Sequence, residues 1–186
     1  MVAHLRRLAL GCGAFLLFSV FAHASAETEG EIASDPIAQA RSGMLQCYSP
    51  DTVSHTCHAL AEYRVAPNGD ISNPATILIQ ADPLIVMHST SKVVIRDHKI
   101  CGRVLDSDVA AATFDVGGAP ASAEATTRLR QRIGPRIIAQ GEVCSLFTSD
   151  GAGGYFVSVE LNGVRHPEMA DIIIWVRPTD GFRVAP

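Results

Sequence analysis

Two histidines, His55 and His58, flank Cys57, with Cys47 ten residues before that cysteine. Imidazoles three apart converge on zinc or copper when they share a face of one element. A third ligand would have to come from a distance, with His88 and His98 as the candidates. Zinc held through the sulfurs would need free thiolates, which an oxidising compartment removes. Surface histidines are the plainer reading, so metal binding stands as an alternative and no cofactor is expected. A second pattern is basic: Arg128, Arg132 and Arg136 recur every four residues, with Arg130 among them. On a helix they form a stripe able to hold an anionic lipid, a glycan or an acidic partner, or simply a solvated face.

Catalytic signatures are missing from the sequence. It has no G-x-S-x-G elbow, no H-E-x-x-H and no G-x-x-x-x-G-K-[ST] phosphate loop. Gly151, Gly153 and Gly154 lack a strand before and a helix after them, so they read as a hairpin loop. Asp106 with Asp108, and His166 with Asp171, are unspecific acid–base pairs, and Trp175 beside three isoleucines reads as core. A Ser-His-Asp site assembled from distant residues leaves no local trace, so a hydrolase acting on envelope material stays open as a rival reading.

The first 26 residues explain the cysteine usage. His4, Arg6 and Arg7 precede an apolar run from Leu8 to Ala22, and Ala24-Ser25-Ala26 supplies a small-x-small cleavage site. The run is shorter than the roughly 20 residues of a spanning helix. We expect cleavage before Glu27, export to the periplasm or beyond, and no transmembrane segment thereafter. Cys12 as a lipidation site fits poorly, because the apolar run continues past it. Four cysteines then remain, Cys47, Cys57, Cys101 and Cys144, which an oxidising compartment should join as two disulfides. Of the three pairings, Cys47–Cys57 with Cys101–Cys144 is favoured, since the first pair brackets a short turn containing proline. No Cys-x-x-Cys redox motif occurs. Without Arg6 and Arg7 the chain has 13 basic against 19 acidic residues, which argues against nucleic acid as a partner.

Strand signals dominate the elements that must position these residues. Residues 27–42 are polar and read as a flexible lead-in to one domain over 43–186. Met44–Tyr48 is a first strand, and Ser49-Pro50-Asp51 signals a short helix ending near His55. Branched runs at 58–65, 75–80, 84–88, 93–96 and 100–101 follow, each too short for a lone helix. A short helix at 106–112 and a strand at 113–116 precede the principal helix, about 122–138, with Ala125, Leu129, Ile133 and Ile137 as its buried stripe. Pro135 is expected to break or kink its last turn. Strands return at 142–147, 155–161 and 172–176, with Asn162-Gly163 as a tight hairpin turn. The fold class is therefore α+β: a mainly antiparallel sheet with one principal helix packed on one face, stapled by two disulfides.

The segments Gln46-Cys47-Tyr48-Ser49-Pro50, Asn73-Pro74-Ala75-Thr76, Asp108-Val109-Ala110-Ala111-Ala112 and Ile174-Trp175-Val176 with Asp180-Gly181-Phe182 carry a resemblance. In them the chain resembles small exported alphaproteobacterial proteins of uncharacterised function. The resemblance implies a bacterial periplasm and no particular activity. The leading expectation is a non-catalytic, envelope-associated domain that binds an envelope protein or a small molecule.

Overall fold

The computed structural model describes residues 30–186, so the leader assigned to residues 1–26 and Cys12 lie outside the described residues. Eight strands carry the architecture. They are β1 (Leu45–Tyr48), β2 (Ala59–Ala61), β3 (Ile71–Gln80), β4 (Ile85–Arg96), β5 (Lys99–Arg103), β6 (Glu142–Ser149), β7 (Gly154–Leu161) and β8 (Asp171–Val176). Each pairs antiparallel with the next, and β8 returns to β1 through Leu45↔Val176 to Tyr48↔Ile173. The sheet is mainly antiparallel, as its sequence implies, but it closes into an eight-stranded up-and-down barrel instead of staying open under one helix. Closure joins the first and last strands across the whole chain, a pairing for which no local pattern exists.

Alternation along each strand sorts the side chains. Ile71, Val93, Ile100, Phe147, Val157, Val159 and Ile173 are buried together inside the barrel. Val94, Phe156 and Ile172, one position out of step, are exposed. Cys101 and Cys144 lie directly opposite one another on β5 and β6 and are joined, as are Cys47 and Cys57. The second bridge belongs to a separate cluster outside the barrel, with Val176, Leu60, Ile174 and Phe182. There the strand Arg183–Val184 runs parallel to Thr56–Cys57.

The β3–β4 hairpin extends past the barrel. The end of β4 (Val93–Arg96) pairs with β5, whereas its start (Ile85–His88) pairs with the strand Thr113–Val116. Three helices complete the fold: α1 (Ala38–Arg41), α2 (Asp106–Ala111) and α3 (Ala123–Ile138). The Ser122 hydroxyl accepts the Ala125 N–H at 3.2 Å as the cap of α3. Leu129, Ile133 and Ile137 then pack on Ile77, Ile79, Ile85, Met87 and Phe114. Gly134 is buried where α3 meets α2, and a Cβ there would stand 2.7 Å from Val109 Cγ1.

Three local expectations need correction. Residues 51–55 form no helix; Asp51 and Thr56 exchange both backbone bonds (2.8 and 3.0 Å), and the Asp51 carboxylate accepts the Val53 and Ser54 N–H groups instead. Helix α3 runs through Pro135 to Ile138. The carbonyl that this proline cannot bond belongs to Gln131, on the exposed face of the helix. The lead-in is docked from residue 30 onward: Ile32 bridges Thr148 and Ile37 is fully buried.

Candidate functional site

Where α2 and α3 roof the extended hairpin they leave a pocket of about 380 Å³. Its floor is Ala75, Ile77 and Ile79 of β3 and Met87 of β4; its roof is Ile133 and Ile137 of α3; Val109, Ala112 and Phe114 close the side. Six polar residues interrupt this lining: Asn73, Ser89 and Ser91 on the strands, Asp108 and Arg130 on the helices, and Gln140 in the turn after α3. Such a pocket, mostly apolar with a few placed polar groups, is the usual form of a small-molecule site. It shares Asn73, Ser91, Val104, Ile137 and Gln140 with a second chamber of about 150 Å³, which reaches Tyr48, Tyr63 and Ser145 in the barrel. An eight-stranded barrel has room inside for side chains alone or for one small ligand.

The two phenols beside that chamber are tied to Gln46. Its Oε1 accepts the hydroxyls of Tyr48 (2.9 Å) and Tyr63 (2.8 Å), and its side chain is fully buried. Its Nε2 has no partner among the described residues. Burial pushes the Tyr48 phenol up to about 12 and the Tyr63 phenol well above its ordinary range, because a phenolate there would lose its hydration. Tyr48 keeps part of its surface, since it lines the chamber.

Arg130 occupies a particular place in the pocket. Its Nε and Nη2 both donate to the Ala112 carbonyl, at 2.9 and 2.7 Å. That carbonyl belongs to the residue following α2, so the guanidinium joins the two helices and is fixed at the pocket wall.

Of the sequence-derived candidates, Asp108 lines this pocket and the others lie elsewhere. His55 is exposed, its Nδ1 2.9 Å from the Asp180 carbonyl and its ring stacked on Phe182. His58 is also exposed, and His98 meets the Ser34 carbonyl at 3.1 Å. No three His, Cys, Asp or Glu residues gather as metal ligands among the described residues. Arg128, Arg132 and Arg136 are all exposed on α3, with Arg128 paired to Glu124. Asp108 caps α2 through the Leu105 N–H, His166 pairs with Glu168 at 2.7 Å, and Asp171 accepts the Ser49 hydroxyl. Arg130, between the stripe positions, is the arginine that turns to the pocket; its place one turn before Gly134 is the only sequence signal of this.

One arrangement resembles a catalytic relay. On the outer face, Thr76 Oγ1 lies 3.2 Å from His88 Nδ1, and His88 Nε2 lies 2.9 Å from Asp115 Oδ2. The line can pass a proton. Thr76, however, is paired on both sides, with Leu60 and with His88, so its amide belongs to a ladder and is not free to hold an oxyanion. The apolar pocket is therefore the better-built site. The chain matches no protein family, no curated protein and no solved structure, and its own geometry carries the functional argument.

Proposed function

We propose that this chain is an exported, non-catalytic barrel of the bacterial envelope that holds a small, mainly apolar molecule beneath α2 and α3. The observation that carries the reading is the pocket itself, about 380 Å³ with an aliphatic floor and roof. That volume falls within the range of small-ligand pockets. Burying an apolar ligand there exchanges hydrated surface for contacts with Ile77, Met87, Ile133 and Ile137, a gain of about 25 cal/mol per Å² removed from water. Two disulfides suit an oxidising compartment, and the leader-like first 26 residues suit export.

Equilibrium titration with N-phenyl-1-naphthylamine, which fluoresces in apolar surroundings, tests this. The exported chain should bind the dye saturably, and Ile77→Trp, which fills the floor, should weaken binding at least about tenfold. Val53→Trp, at a fully exposed turn, should leave binding unchanged. Saturable binding that ignored Ile77→Trp, or no binding at all, would refute the pocket as the ligand site.

A further inference from the structure

We infer that the ligand is an amphiphile with a carboxylate head, seated on the guanidinium of Arg130 while its apolar body lies between α3 and the β3–β4 hairpin. The inference rests on the pocket reading above and adds the chemistry of the head group. A guanidinium has five N–H donors in a planar fork. Two of them, on Nε and Nη2, are taken by the Ala112 carbonyl. That leaves the edge formed by Nη1 and the second Nη2 hydrogen, whose spacing matches the two oxygens of a carboxylate.

Three features favour an anion at that edge. Arg130 lines the pocket and is half-buried, so its charge is less screened than that of the exposed Arg128, Arg132 and Arg136. It forms no ion pair among the described residues, whereas Arg128, two positions away, is neutralised by Glu124. Its two bonds to a backbone carbonyl hold the fork in place before any ligand arrives, which lowers the entropy lost on binding. Asp108 is the one acid of the lining. Its Oδ2 is engaged by the Leu105 N–H at 2.9 Å, and it disfavours a second anion placed beside α2. An anionic head is therefore favoured at Arg130, whereas a cationic head would be drawn to Asp108 instead.

Displacement of the dye by three probes with the same chain, dodecanoate, dodecan-1-ol and dodecyltrimethylammonium, separates the head from the body. The disulfide-intact chain should bind dodecanoate about tenfold more tightly than the alcohol, the scale of a charge-assisted fork. Arg130→Met should abolish the preference, so that dodecanoate and the alcohol bind this variant equally, whatever the lost tether between α2 and α3 does to both. Arg130→Lys, which keeps the charge without the fork, should fall between. Saturable dye binding by each variant shows that it folds, and the acid-to-alcohol ratio within that variant is the readout. Equal affinities for acid and alcohol, a preference for the cation, or a dodecanoate preference surviving Arg130→Met would each overturn the carboxylate assignment while leaving the pocket reading intact. Failure of all three probes to displace the dye would overturn both.

Discussion

At the scale of single residues, the barrel interior makes a choice that aliphatic packing would not. Gln46 is buried so that one oxygen can serve two phenols, Tyr48 and Tyr63. Both hydroxyls would otherwise be buried without a partner, at about 1–3 kcal/mol each. The arrangement has a pH signature whose sign follows from the direction of the shifts. Folding raises the tyrosine values above the ordinary 10, so above that pH the unfolded chain has lost protons that the folded chain keeps. The stabilisation is complete below about pH 10 and is lost as pH climbs toward 12, by up to about 1.4 kcal/mol per pH unit per tyrosine. Urea midpoints measured through this window should fall with pH, and Tyr48→Phe should make the fall shallower. A midpoint independent of pH there, or one equally steep in the variant, would mean that the phenols are not buried as described.

At the scale of elements, the helical roof is an excursion of the chain between β5 and β6, and a disulfide pins its base. Cys101 lies on β5 and Cys144 on β6, so α2 and α3 both fall within the 43-residue interval that they close. Cys47 and Cys57 close only 10 residues. In the chain-entropy account these intervals correspond to about 4 and about 2.7 kcal/mol. Chemical denaturation of Cys101→Ala/Cys144→Ala and of Cys47→Ala/Cys57→Ala should show the first pair losing more stability, with weaker dye binding as the roof loosens. The reverse order would place the strain of unfolding outside the roof. The pairing, the strand content and the Leu129, Ile133 and Ile137 members of the α3 stripe were legible in the residues; Ala125 is not packed in that cluster. The long β4 was not, and its reason is chemical. Ser89 and Ser91 occupy inward positions that line the pocket, so hydroxyls stand where alternation would show aliphatics, and one 12-residue strand reads as two short runs. The pocket was hidden for the same reason, since its polar lining looks in sequence like a loop. Pro135 misleads in the opposite sense, because the bond it cannot make falls on the exposed side of α3.

At the scale of the whole molecule, the two ends of the barrel are closed by different means. Helix α3 delivers the chain to the start of β6 at Glu142, so the roof and its pocket stand at that end. The N-terminal segment docks at the other: Ile32 bridges Thr148 near the end of β6, the Ala33 N–H donates to the Phe147 carbonyl, and Ile37 enters the core beside Phe147. A segment whose composition suggests a loose lead-in is thus a plug, anchored by the fully buried Ile37 with Pro36 and Ala40 buried beside it in the chain. Removing that anchor should separate stability from binding. Ile37→Ala deletes a core side chain, and comparable truncations cost about 2–5 kcal/mol. Its melting temperature should therefore drop clearly, while the affinity for N-phenyl-1-naphthylamine, read well below the melting point, should match that of the parent chain, because the pocket lies at the opposite end. An unchanged melting temperature would make the segment a passive tail. A melting temperature that fell together with the affinity would mean that the barrel transmits the state of one end to the other, and the plug would then belong to the binding machinery.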